Sequence, residues 1–563
     1  MRSHRRLLIL LSLGVITATA RGQQQSPAFC DLSLLVAAEY PCTWPQGWPI
    51  FQINPYLRIG PTSAYNSEIL TVDPNTGTQL DVPPHSIPRP GSGLPNSGPT
   101  GAMFSDKVPA WQYGGEACVI DVTDLIASAP RGHSALIKKE RVVAWERKYR
   151  PLHAGDVVIF RSGYSDKYYK PLPAGRRFLA EPLENKTPAW PDPDPPCMEY
   201  LATRNVMHVV VDSPSMGPIP DLQEPTHIAG LKHGMIFTEG ATNLTDLPPT
   251  GAFYCAVGPR HADCAGSETR ALAILDKPLA ERLIDSVKHR RVIDLSPVLH
   301  PDLPLSLSGV AVGAHRQPYV KGTFGYNPNV DAAFNTHIMD SHTGTHLVPP
   351  SYALPPKGFD NGSYAPHVRR WLADYERTFG PRGTSSVTTE QVPLEQTCGP
   401  ARVIDVRHLV GTTSTEDRPI SPVITPTHIA AYEKQTGALR PNEVVIFFTG
   451  HTDRHLKRMS DGGSAMMDDP FSGKSEGWPA PGPETIRHLD GKGIRCVATD
   501  APTLGGVDPP QALLTYWTLG TAGMVGVEFL IDLEKVPDNA YFLFAAPKIR
   551  GGHGGVGRAI ALH

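Results

Sequence analysis

A set of short segments occurs twice along the 563 residues, in the same order. Asp31-Leu-Ser33 returns as Asp294-Leu-Ser296, and Asn75-Thr-Gly-Thr78 as His342-Thr-Gly-Thr345. Val119-Ile-Asp121 returns as Val403-Ile-Asp405, and Val157-Val-Ile-Phe160 as Val444-Val-Ile-Phe447. Asp212-Ser-Pro214 pairs with Asp500-Ala-Pro502, and Glu239 with Glu528. The offset drifts from 263 (294 − 31) to 289 (528 − 239), with one large step between the Gly-Thr segment and Asp405. Similarity at so long a period means a duplicated domain, not a solenoid of short repeats. It predicts similar domains over 25–265 and 287–563, joined by a linker over 266–286 that carries a helix around Leu272-Ala-Ile-Leu275 and Leu283-Ile284.

Within each copy, helical and strand-like segments alternate. Val157 to Phe160 and Val444 to Phe448 are short β-branched apolar runs, which read as buried strands. Lys139 to Tyr149 reads as the helix before the first. Before the second, Thr425 is placed to cap a helix, Pro426 fits its first turn, and Gly437 lies near its end. Shorter helices are expected over Pro196 to Thr203 and Pro483 to Leu489, followed by strands at Val206 to Val211 and Cys496 to Ala498. This order predicts an α/β fold.

Composition narrows the function. Charged residues make up 19% and the net charge is −3, which gives no footprint for a nucleic acid. Residues 1–20 form a basic head, an apolar run and an Ala-x-Ala end, the pattern of a cleaved signal peptide. The run is too short to span a bilayer comfortably, so secretion or a periplasmic destination is expected, without stable membrane insertion. Eight cysteines are compatible with disulfides there, and Cys30 with Cys42 and Cys255 with Cys264 are the local pairs expected.

The chemistry concentrates in Asn75-Thr-Gly77-Thr78-Gln79-Leu-Asp81-Val-Pro83-Pro-His85. This spacing fits neither one helix face nor a plain strand. It reads as a loop that turns back, so that Asp81 and His85 point into one cavity. A carboxylate beside an imidazole suits a zinc- or manganese-type ion.

Both copies of this segment resemble the signature of the cyclase family, which includes bacterial-type kynurenine formamidases and isatin hydrolases: His-x-Gly-Thr-His-x-Asp-x-Pro-x-His. The first copy matches at Gly77, Thr78, Asp81, Pro83 and His85, and departs at Asn75 and Gln79. The second matches at His342, Gly344, Thr345, His346 and Pro350, and departs at Val348 and Tyr352. The resemblance implies two tandem swivelling β/β/α domains forming a covalent pseudo-dimer. It implies a divalent metal, Zn or Mn, held by Asp81, His227 and Glu239, with Asn75 and Gln79 as weak neutral ligands and His85 as acid/base. In the second copy His342, His346 and Glu528 remain, with His337 as a further candidate, and Tyr516 stands where the late histidine belongs. The expected activity is hydrolysis of an amide-type C–N bond in a small aromatic substrate, an N-formyl or cyclic aryl amide. The alternative is a secreted, non-catalytic binding or scaffold protein built from two degenerate copies. Two separate pockets are expected, with chemistry in the first. The aromatic stretch Tyr40 to Tyr65, with Trp44 and Trp48, is expected to wall the site.

Overall fold

A computed structural model describes residues 29–45, 47–306 and 319–563. The leader expected over 1–20 lies outside the described residues.

The duplication appears as two nine-stranded sheets with matching strand order. At the centre of the first, Gly114–Asp121, Asp156–Arg161, His208–Val211 and Ile236–Glu239 run parallel. Antiparallel strands extend it on both sides, ending in Phe29–Asp31 at one edge and in Gln79–Asp81 and Gly266–Glu268 at the other. The second sheet repeats this with Cys398–Asp405, Val444–Phe448, Cys496–Thr499 and Val525–Glu528 at its centre. His346–Val348 takes the place of Gln79–Asp81. Parallel neighbours need crossovers, and helices supply them. Lys139–Lys148, Pro195–Thr203 and Gln223–Leu231 serve the first sheet; Pro426–Thr436, Pro483–Gly491 and Pro509–Thr521 serve the second. The central strands are buried along nearly their whole length, which is why they read as continuous apolar runs.

The helix read from Thr425, Pro426 and Gly437 runs from Pro426 to Thr436. Thr425 caps it reciprocally with His428, and Gly437 closes it at φ +89°. The segment expected to link the halves is different. Gly266–Glu268 and Arg270–Ile274 are strands of the first sheet, and helix begins only at Lys277. Leu272, Ala273 and Ile274 each pair with strands on both sides, and such a two-sided partner overrides a short apolar run's local preference. The helix Lys277–Lys288 then packs with Leu283 and Val287 into a core shared by the halves, which also contains Leu543 and Ile560. Truncating such a side chain to Ala costs on the order of 2–5 kcal/mol.

The repeated Asp-Leu-Ser segments are explained by this edge. Arg270 donates two hydrogen bonds of 2.9 Å to the carboxylate of Asp31; in the second sheet Arg558 donates through one Nη to Asp294 and through the other to Tyr113 Oη at 3.0 Å. The repeated Asp-x-Pro segments are structural as well. Asp212 accepts the backbone N–H groups of Ser162 and Gly163, and Asp500 those of Thr449 and Gly450, fixing the turns that leave the second parallel strands.

The disulfides expected are not formed: all eight cysteines are free thiols. Cys255 is buried in the shared core, and Cys264 instead faces Asn335 and His337. Cys42 donates to the Ala37 carbonyl, while Cys30 lies on the edge strand. No helix among the described residues is long and apolar enough to cross a membrane.

A four-stranded antiparallel sheet joins the halves. Its order is Val320–Asn327, Ala332–Asp340, Ser67–Val72, Gln52–Leu57, so two strands come from each half.

Candidate metal centre

The motif loop turns at a glycine that a side chain would strain. Gly77 has φ +69°, and a Cβ there would lie 2.6 Å from Val36 Cγ2. Gly344 repeats this at φ +59° against Leu299. Thr78 then accepts the Leu34 N–H and donates to the Gly240 carbonyl at 2.7 Å, pinning the loop to the far end of the sheet. The next residues, Gln79–Asp81, form a short strand beside Ile236–Glu239, with Gln79 opposite Glu239 and Asp81 opposite Phe237. Two residues distant in sequence therefore meet across one ladder. His85 sits on the single turn Pro83–His85 that follows. His227 comes from the helix Gln223–Leu231, which precedes the Glu239 strand.

These side chains converge. His227 Nε2 lies 3.4 Å from Asp81 Oδ2 and 3.5 Å from Glu239 Oε1, and His85 Nδ1 lies 3.6 Å from Asp81 Oδ1. Asp81, His227 and Glu239 are buried, while the His85 side chain keeps 18% of its surface. The Nδ1–H of His227 donates to the Gln223 carbonyl at 2.9 Å, so its Nε2 lone pair faces two carboxylates. Two carboxylates against one imidazole nitrogen call for positive charge between them, supplied by a proton on Nε2 or by a metal ion. Both oxygens of Asp81 and Nε2 of His227 are buried without a hydrogen-bond partner, a costly state for polar atoms. Bonds of about 2.0–2.1 Å in a tetrahedral site place donor atoms about 3.3–3.4 Å apart. The observed separations match that spacing, so the residues fit a divalent ion.

The electrostatics agree. Burial opposes charge on His227, but its contacts with Asp81 and Glu239 outweigh burial and hold the imidazole well above its ordinary pKa. Burial also opposes ionisation of Asp81, yet His85 and His227 prevail and lower it. Burial, then the charge on Asp81, raises Glu239 to about 7. Burial lowers His85; Asp81 pulls the other way and His227 adds to the lowering. The site draws positive charge to its centre and leaves the imidazole at its mouth neutral.

Asn75 and Gln79, expected as weak ligands, both line the cavity of this centre. Gln79 Nε2 donates to Glu239 Oε2 at 2.7 Å and faces Asn75 Oδ1 at 3.4 Å, so the amides engage each other and the carboxylate. Glu239 Oε1 also accepts the Met216 N–H. Gln79 thus orients Glu239. Asp81, His85 and His227 each offer a ligand atom within 4.8 Å of the others, and they are the only such group among the described residues.

Among the described residues the second copy holds no equivalent cluster. His346 Nδ1 donates to the Gly344 carbonyl, and its Nε2 lies 3.0 Å from Glu528 Oε2. The other Glu528 oxygen accepts Tyr516 Oη at 2.5 Å and the Leu504 N–H at 2.8 Å. With Val348 in the carboxylate's place, His346 and Glu528 are spent on each other and on Tyr516 and Leu504, and His342 Nε2 is left without a partner. His337 is remote from this centre. It stacks on His261 at 3.7 Å and bonds to Tyr319, in a buried relay that Glu268 completes. The glycine-rich tail also has a packing role: a Cβ at Gly554 would lie 2.5 Å from the His342 ring.

Each copy has its own cavity, and the two share no lining residue. The first, about 250 Å³, is lined by the metal-competent group with Trp44, Trp48 and Phe334. Trp48 packs 5.0 Å from Phe334, which lies 6.2 Å from the His85 ring. Phe334 belongs to the other half of the chain. Nothing in the motif could have found it, because its place depends on strand pairing between the halves.

The Putative cyclase family matches residues 30–218 and 293–505. Isatin hydrolase of Roseibium aggregatum is 29% identical over 238 residues, 41% of this chain and 74% of that protein. Kynurenine formamidase of Salinibacter ruber is 27% identical over 227 residues, 39% of this chain and 76% of its own length. A solved isatin hydrolase bound to the product analogue thioisatinate aligns with 51% of this chain and 98% of its own, at 20% identity and a TM-score of 0.38. With both halves matched over most of their length, the chain belongs to the Putative cyclase family.

Proposed function

We propose that the first half is a metal-dependent hydrolase of amide-type C–N bonds in small aromatic molecules, N-formyl aryl amides or cyclic aryl amides. One observation carries this reading: the buried, unpartnered atoms of Asp81 and His227, which face each other at the spacing of metal ligands. A divalent ion of the zinc or manganese class, held by Asp81, His227 and Glu239, would polarise the carbonyl and lower the pKa of an attacking water. Gln79 holds Glu239 in place for this. His85 stands at the mouth as a neutral imidazole. It takes the proton that water loses as its oxygen bonds to the carbonyl carbon. It then delivers that proton to the nitrogen as the C–N bond breaks, leaving a carboxylic acid and an amine. Trp44, Trp48 and Phe334 hold the ring of the substrate, and its reacting carbonyl turns toward Asp81.

The hydrolytic relatives support the class of reaction, and the choice of bond is our own. The pattern of residues 1–20 supports export, so we place the mature protein outside the cytoplasm. The test is elemental analysis beside activity. The purified protein is expected to carry one divalent ion per chain and to hydrolyse an aryl formamide or isatin. Asp81→Ala is expected to lose both. Metal content unchanged in that variant would remove the proposed site.

A further inference from the structure

We propose that the second cavity is a binding site for a neutral single-ring aromatic molecule that donates an O–H or N–H, the class of phenols and anilides. This rests on neither the metal nor catalysis in the first half. The cavity measures about 130 Å³, close to the size that takes up a benzene ring in an engineered protein core. Its wall is aromatic and comes from both halves. Tyr65 of the first half stacks on Tyr352 at 4.9 Å, and Tyr516 meets both rings edge-on at 5.0 and 6.0 Å. Such a box offers edges and faces to one more ring.

The polar chemistry of the cavity selects the ligand. Glu528 is already saturated by Tyr516, Leu504 and His346, so no free carboxylate is left to attract a cation. Asp340 is spent as well: one oxygen accepts the His342 N–H and the other accepts Ser67 Oγ. His342 is 6% exposed, lines the cavity, and has a buried Nε2 with no partner. Its Nδ1 lies 3.3 Å from Asp340 Oδ1, which can only accept, and 3.2 Å from Ser341 Oγ, whose own proton goes to Glu68 Oε2, so the ring proton belongs on Nδ1 and Nε2 is the acceptor. An unmet acceptor in an aromatic box calls for a ring that brings a donor. Tyr516, which stands where the first half carries His227, lines this cavity, and Tyr352, which stands where it carries His85, closes it 4.7 Å from the His342 ring.

The experiment titrates the full-length protein with phenol and with toluene, followed by ligand-detected NMR and calorimetry. Phenol is expected to bind at least tenfold more tightly than toluene. His342→Phe keeps a ring of similar shape and is expected to abolish that preference. Asp81→Ala, in the other cavity, is expected to leave it unchanged. Three results would overturn the proposal: no saturable phenol binding up to millimolar concentration, equal binding of the two probes, or a preference lost in Asp81→Ala and kept in His342→Phe. Should His342→Phe fail to fold, Ala512→Leu, which narrows the same cavity from its helix, is expected to weaken phenol binding at least tenfold. Unchanged affinity there would overturn the proposal equally.

Discussion

Thr71 and Ile338 face each other across the antiparallel pair that joins the halves, and they are equivalent positions of the duplication. The motif residues Asn75 and His342 stand at the same separation in sequence. A residue that pairs with its own counterpart marks a pseudo-twofold axis, as in a symmetric dimer. Strands on either side of this axis reach into the opposite half. Ala332–Asp340 carries Phe334 to the first cavity, and Ser67–Val72 brings Ser67 to the second, with Tyr65 just before it.

The exchange predicts that a substitution in the second half disturbs chemistry in the first. Phe334→Ala is expected to raise KM for an aryl substrate about tenfold, roughly the value of one aromatic pair, with metal content unchanged. Steady-state kinetics with elemental analysis checks it. An unaltered KM would remove Phe334 from the substrate wall.

His85 is expected to move protons. His85→Ala should retain the ion, because Asp81, His227 and Glu239 remain, and should lower turnover by on the order of 10²–10⁴, the usual scale for a positioned acid or base. Loss of the ion together with activity would make His85 a ligand instead. The group formed by Asp81, His85 and His227 makes that a real alternative outcome.

Replacing His342 by Asn and His346 by Gln gives the second half the residues that the first half carries at Asn75 and Gln79. Metal content and hydrolysis are expected to persist, since the two cavities share no lining residue. A folded double variant without metal or activity would mean that one site draws ligands from both halves.

His451 provides a pH signature of stability. Burial depresses its pKa to about 3, and its Nε2–H donates to the Met466 carbonyl at 2.8 Å. The unfolded chain takes up this proton below about pH 6.5 while the folded chain does not. Stability is therefore lost as pH falls from about 6.5 toward 3, by on the order of 2 kcal/mol at pH 5 for this group. His451→Gln keeps a donor and lacks the proton uptake. Its unfolding midpoint in urea is expected to fall less than that of the parent between pH 7 and pH 5. Parallel curves would assign the acid sensitivity elsewhere.

The amino-acid order alone determined the duplication, the alternation of strand and helix, and the Gly-Thr turns. These are local matters: Gly77 and Gly344 are required by a positive φ and a close contact, and Thr425, Pro426 and Gly437 bound one helix through its own backbone groups. His227 and Glu239 were reached through the resemblance to the cyclase family, and the structure places them on one helix and the strand after it. Tertiary structure decided the rest. Leu272 to Ile274 became strand because partners on both sides required it. Cys255 and Cys264 stayed thiols because sheet pairing sends them to different neighbours. Gln79 became a positioning group for Glu239 through ladder register. Phe334 and Tyr65 entered cavities of the opposite halves because Thr71 meets Ile338, a pairing between strands more than two hundred residues apart that no local pattern encodes.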